Sequence, residues 1–175
     1  MQDGFVEKKI HEILMYYNCT DENFSDTPQR FKKVLECCLR GKAPKLPTFP
    51  LQGKASLILI KEYIGWSFCP HHLLPVKYTF KVGYIPHRRV LGLSKLGRIA
   101  DFALIGFPLQ EEVADRVVQM IEDAIDPKGS GCIAVGEHLC MRMRGVKQPC
   151  VIAVSSCFRG VLLTEPSTKE EFLNL

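Results

Sequence analysis

The run 76-VKYTFKVGYI-85 sets Val76, Tyr78, Phe80, Val82 and Tyr84 at every second position. Period two matches the pleat of a strand with one buried face, whereas a helix would scatter these side chains around its axis. ASLILIKE at 55–62 suits a second strand and a hairpin partner. Two helical patterns follow, from Ser94 to about Leu104 and from about Leu109 to Ile125, before DPKGSG breaks the periodicity. Strands are expected again at about 131–143 and 150–157. Strands, then helices, then strands make runs of like elements. This order predicts an α+β fold, an antiparallel sheet with two helices on one face.

Ahead of this core, FVEKKIHEILMYY at 5–17 has apolar residues at helical spacing. DTPQRF at 26–31 reads as the start of a second helix running to about Leu39, with Asp26 or Thr27 as cap and Pro28 in the first turn. The stretch 41-GKAPKLPTFPLQG-53 holds three prolines and two glycines and reads as a linker. The expected organisation is an N-terminal helical segment with linker over 1–53 and a main domain over 54–175. A short last helix is expected near Ser167 or Thr168, with a capping box to Glu170 or Glu171.

Several function classes drop out on composition. No run of 18 apolar residues exists, so no membrane span is expected. The N-terminal stretch MQDGFVEKKIHE is charged and carries no secretory pattern, which points to the cytoplasm. Eight cysteines in a reducing compartment read as buried thiols or metal ligands rather than disulfides. A net charge of +4 is too small to imply nucleic acid, but it suits an anionic small molecule if the cations cluster.

The chemistry concentrates in 68-FCPHHLLP-75 and 136-GEHLCMRMRG-145. On a strand His138 and Cys140, at i and i+2, would point together. Pro70 makes the first segment turn-like, so Cys69 and His72 can meet on one centre. Zinc takes thiolate and imidazole, and a set of three protein ligands leaves a fourth position for water. Cys69, His71, His72, His138 and Cys140 are one candidate too many for a closed tetrahedron. At least one imidazole is then free for proton transfer. A cysteine taken singly is more often a buried apolar residue. Spacing alone leaves a structural Cys2His2 zinc and a catalytic zinc level.

A second cluster is 91-LGLSKLGRIA-100. Ser94 can cap a helix whose first turn carries Lys95 and Arg98, an arrangement able to hold phosphate and also able to be an ordinary solvated helix start. Arg30, Lys33, Arg142 and Arg144 add charge if they converge. Gln110 and Glu111 open a helix, where an amide beside a carboxylate can read a nucleobase edge or simply complement the helix dipole.

CPHHL at 69–73, GYIP at 83–86, LGLSKLGRI at 91–99, LQEE at 109–112, HLCMRMRG at 138–145 and TKEEFL at 168–173 together resemble the GTP cyclohydrolase I family. The similarity runs in register from DTPQR to the C-terminus, roughly five sixths of the chain. It implies the tunnelling fold. It also implies a ring of subunits, usually ten in two stacked pentamers, with active sites between them. The implied reaction takes GTP and water to 7,8-dihydroneopterin triphosphate and formate.

Residue by residue, the resemblance implies zinc on Cys69, His72 and Cys140, with His71 and His138 as proton-transfer groups. Gln110 and Glu111 match the pair at the guanine end, and Ser94 matches a serine near the ribose. Lys95, Arg98 and Arg144 match triphosphate ligands, joined by Arg30 and Lys33. Pro70 stands where the family usually has glutamate, and 150-CVIAVSSC-157 stands where it has a threonine-rich strand. A related zinc hydrolase with another substrate or an earlier product, and a non-enzymatic member with structural zinc, are the alternatives to the cyclohydrolase.

Overall fold

The structure is a computed structural model that describes residues 4–175; the first three residues of the charged N-terminal stretch lie outside it. The chain divides into two compact units, one ending at Gly41 and one spanning Lys42–Leu175. The first holds α1 (Phe5–Tyr16), a short 3-10 turn at Glu22–Phe24, and α2 (Thr27–Leu39). Pro28 sits in the first turn of α2, where its missing N–H leaves no bond unmade. Asp26 occupies the cap position, yet its carboxylate accepts from Arg30 at 3.1 Å instead of bonding a helix amide. An ion pair between Glu7 and Lys32 ties α1 to α2. No side chain of α1 is buried, and Phe5, Ile13, Met15, Tyr16, Phe31 and Val34 are exposed.

In the second unit β2 (Ile58–Phe68), β3 (Pro75–Ile85), β5 (Gly129–His138) and β6 (Ala153–Gly160) form one antiparallel sheet in that order. Within the proline-rich stretch expected as linker, β1 (Thr48–Pro50) pairs with β4 (Arg89–Leu91). Proline is tolerated there because the two-stranded ribbon consists of edges. Between β4 and β5 run α3 (Leu93–Ala103) and α4 (Gln110–Ile125). Leu96, Ile99 and Ala100 of α3 and Val113, Val117 and Ile121 of α4 cover Val76, Tyr78, Phe80, Val82 and Tyr84, all buried. Alternation in the sheet and the helical period in α3 and α4 meet in one core.

The strand predicted at 55–62 actually runs on to Phe68 and contains a bulge. Ile60 lies opposite Val82 and Tyr63 opposite Phe80, so β2 carries one extra residue, with Glu62 at φ 57°. The extra residue inverts the alternation beyond it. Tyr63, Gly65 and Ser67 turn toward the helices, where the Tyr63 hydroxyl donates to Asp101 at 2.7 Å and that of Ser67 to the Leu104 carbonyl at 2.9 Å. Ile64 and Trp66 turn to the other face and are exposed.

The strand expected to cross residues 138–143 stops at His138 and becomes a single helical turn, α5 (Leu139–Arg142), because β3 offers no pairing partner beyond Val76. After β6 come α6 (Val161–Thr164) and α7 (Pro166–Asn174). The predicted capping box is absent: α7 starts at Pro166, and Thr168 donates its hydroxyl to Glu165 at 3.2 Å. Phe172 is fully buried, edge-on to Phe158, and lies on the sheet face away from α3 and α4. Among the described residues no helix is long and apolar enough to cross a membrane.

Gly97 faces the Tyr63 ring so closely that a Cβ there would lie 2.6 Å from a ring carbon. Alanine normally favours a helix interior over glycine by about 1 kcal/mol. Here Gly97→Ala should instead lower stability by about 1–3 kcal/mol through overpacking, read as a reduced denaturant midpoint.

Candidate active site

The pairing of β3 with β5 puts Val76 opposite His138. The turn that leads into β3 therefore lies beside the end of β5. That turn closes with the Cys69 N–H donating to the Leu74 carbonyl at 2.9 Å, the Leu73 N–H donating to the Cys69 carbonyl at 2.9 Å, and Leu73 at φ 50°. Pro70 lacks an N–H and accepts this geometry without an unmet donor. Since the bulge has already inverted β2, Cys69 points inward and is buried.

Ligand atoms of Cys69, His138 and Cys140 all lie within 4.8 Å of one another. The Cys69 sulfur is also 3.7 Å from His71 Nδ1 and 3.7 Å from His72 Nδ1. Two sulfurs on a tetrahedral zinc sit roughly 3.8 Å apart, so the donor set fits a thiophilic ion with slight contraction. Two thiols plus three imidazoles in reach supply a three-ligand set and leave imidazoles over. Cys140 reaches the cluster from the first turn of α5 rather than from a strand, so the expected i, i+2 strand relation to His138 is replaced by a strand-to-helix corner.

A cavity of about 300 Å³ opens on this cluster, lined by Cys69, Pro70, His71, His72, Leu109, Gln110, Glu111, His138, Cys140, Met141 and Ala153. Gln110 and Glu111 arrive there as the first two residues of α4. Burial lowers the imidazole pKa of His138, opposed by the charge of Glu111. Burial raises the Cys140 thiol, Cys69 alongside raises it further, and Arg144 works against both. A bound cation would reverse that balance and hold both sulfurs as thiolates. Tyr78, which the sequence marked only as a core strand residue, lies under the site. Its ring is edge-on to His138 at 6.3 Å, and its hydroxyl is pushed up to about 12 by burial and by the charges of Cys69 and Glu111.

Other expected residues lie elsewhere. Ser94 is exposed in the first turn of α3 and does not cap it; Gly92 holds the cap position and its carbonyl accepts from the Lys95 N–H at 2.8 Å. Lys95, Arg98 and Arg144 are not part of the cavity wall. Arg142 is engaged with Glu137, which also accepts from Lys77 at 3.1 Å. Arg30 and Lys33 are exposed on α2 in the N-terminal unit.

The sequence matches the family model for GTP cyclohydrolase I over residues 6–175. The chain belongs to the GTP cyclohydrolase I family. GTP cyclohydrolase 1 of Aquifex aeolicus (strain VF5) is 36% identical over 155 residues, 88% of this chain and 84% of that protein. GTP cyclohydrolase 1 of Leptospira biflexa is 32% identical over 177 residues, 97% of each chain. Among solved structures, the archaeosine synthase QueF-Like in the apo form superposes with a TM-score of 0.52 at 20% identity, over 62% of this chain and 97% of that one. The architecture is the α+β tunnelling fold that the sequence resemblance implies.

The cluster makes a direct expectation. Purified protein should hold about one thiophilic divalent ion per chain, measured by elemental analysis. Cys140→Ser should lose it; a full metal complement in that variant would show that the ion sits elsewhere.

Proposed function

We propose that this chain is a zinc-dependent GTP cyclohydrolase I that converts GTP and water to 7,8-dihydroneopterin triphosphate and formate. The observation that carries the reading is the pair of thiols, with three imidazoles in reach, on the wall of a cavity that also presents the α4 N-terminus with Glu111. Zinc would be held by Cys69, Cys140 and His72, leaving His71 and His138 for proton transfer. When bound, the ion supplies Lewis acidity for water and for the purine C8.

The chain's own groups would do the rest. Glu111 accepts from the guanine N1–H and 2-amino group, a pattern adenine cannot offer. His138 moves the proton at N7 as the imidazole ring opens and formate leaves. His71 and Ser94 serve ribose opening and the rearrangement before the pterin ring closes. Lys95, Arg98 and Arg144, with Arg30 and Lys33, neutralise the triphosphate.

A homo-oligomer, in the form of two stacked pentamers with sites between subunits, fits two features of the single chain. The sheet is open at β2 and β6, and unpaired edges are covered in stable proteins. The basic residues meant for the triphosphate are absent from the cavity wall of one chain, as they would be if a neighbour supplied part of the site. The cytoplasm is the compartment that suits eight free cysteines.

Pro70 lines the cavity where a carboxylate usually stands, and it favours a second reading in which the enzyme opens a purine nucleotide but stops at an earlier product. Incubation with GTP, with products read by mass and by pterin fluorescence after oxidation, separates the two. Dihydroneopterin triphosphate is the expected main product. Formate without pterin would establish the second reading, and no turnover would sink both.

Lys95→Ala and Arg144→Ala should each weaken GTP binding by about 1.5–3 kcal/mol, the scale of a charge-assisted hydrogen bond. An unchanged KM in both variants would remove them from the site.

A further inference from the structure

Three tyrosines face α3 and α4 from the sheet, and two of them have their hydroxyls occupied. Tyr63 donates to Asp101 at 2.7 Å, and Tyr84 accepts from the Leu91 N–H at 2.8 Å. Tyr78 differs. It is 1% exposed, and among the described residues no group hydrogen-bonds to its hydroxyl. Burying an O–H without a partner costs stability, and phenylalanine would fill the same space without that cost. Core packing therefore accounts for the ring and leaves the hydroxyl unexplained.

The phenol lies beside the ligand cluster. Tyr78 stands opposite Gly65 on β2 and Gly136 on β5, so neither strand beside it presents a side chain at that position. It shares a strand face with Val76, the partner of His138, and its ring is edge-on to that imidazole at 6.3 Å. His138 in turn has its ligand atom within 4.8 Å of the sulfurs of Cys69 and Cys140. Tyr78 is not part of the cavity wall, so it meets the cluster from behind that wall. The charges that bear on its hydroxyl are those of Cys69 and Glu111, in that order. Glu111 is exposed and can be met by water, whereas Cys69 is buried. A sulfur held as a thiolate keeps lone pairs, and donors outside the ligand set orient such ligands and strengthen the centre.

We infer that Tyr78 is a positioning residue of the metal centre, whose hydroxyl donates to the Cys69 sulfur once an ion holds it as a thiolate. The inference rests on the reading of Cys69 as a metal ligand and not on the reaction performed there. The ring keeps its place in the core whether or not the hydroxyl is used, stacked on Phe80 at 5.8 Å.

Tyr78→Phe removes the hydroxyl and leaves the ring. In competition with a chelator, the full-length variant should bind zinc about tenfold more weakly than wild type, the lower end of the loss from one supporting contact. Without metal it should unfold at a denaturant midpoint no lower than wild type, since it has lost no bond made in that state. With cobalt in place of zinc, its sulfur-to-metal charge-transfer band should move to longer wavelength, because the thiolate has lost a donor. Equal zinc affinity and an unmoved band would overturn the inference. Weaker zinc binding together with a lower metal-free midpoint would reduce Tyr78 to a packing residue and overturn it too. A raised KM for GTP in the zinc-saturated variant, with zinc affinity unchanged, would assign the hydroxyl to Glu111 instead. A wild-type protein that takes up no zinc would refute the metal reading along with this one. Zinc-loaded wild type that leaves GTP unchanged, with Tyr78→Phe behaving as expected, would refute the cyclohydrolase reading and uphold this inference.

Discussion

Everything at the site depends on the antiparallel register of β3 against β5. Val76 opposite His138 fixes which end of β5 meets the turn between β2 and β3. A slip of one residue would send Tyr78, Phe80 and Val82 to the wrong face, and their burial under α3 and α4 makes such a slip costly. The hydrophobic core thus sets the distance between Cys69 and Cys140, which are far apart in the chain. The ligand cluster needs no dedicated scaffold, since it is placed by the same contacts that stabilise the fold.

The bulge at Glu62 has a similar reach. Without the extra residue, Ser67 and Cys69 would point away from the helices, and Ile64 and Trp66 would point inward. With it, the inward positions of the second half of β2 hold a tyrosine, a glycine and a serine, and Cys69 follows on the same side in the turn. That polar and small set leaves room for Asp101 and Leu104 and delivers one thiol to the cavity. Bulges next to active sites commonly re-aim a side chain in this way.

Two of the cations near the site, Lys77 and Arg142, are paired with Glu137, while Arg144 acts on the Cys140 thiol. Glu137 has its carboxyl pKa lowered, chiefly by the Lys77 hydrogen bond and then by the charge of Arg142. That ion cluster lies on the sheet face away from α3 and α4, as Lys77 and Glu137 alternate with the buried Val76 and Tyr78. The imidazole of His138 therefore meets an amide, a carboxylate and an aromatic edge, and no lysine or arginine hydrogen-bonds to it among the described residues.

Local pattern carried much of this in the sequence. The alternation of 76–85 and the helical period of 109–125 each recur within one residue, because both elements bury one continuous face of a single core. The C-P-H-H and H-x-C motifs held the residues that converge, since ligand chemistry depends on side-chain type and these types are rare in such spacing. Three things were decided only by the tertiary structure. Strand β2 was read too short because its apolar residues beyond the bulge, Ile64 and Trp66, face outward, so the period is broken where the strand continues. Cys140 lies on a helical turn because strand pairing ends at His138, and pairing is a property of two segments rather than one. Gln110 meets His138 because Gly136 leaves a gap and Ser155 and Ala134 hold the amide in it, an arrangement drawn from three distant stretches of chain. Local periodicity is written in neighbouring residues and can be read from them; a hydrogen bond between side chains from separate elements exists only once packing has brought those elements together.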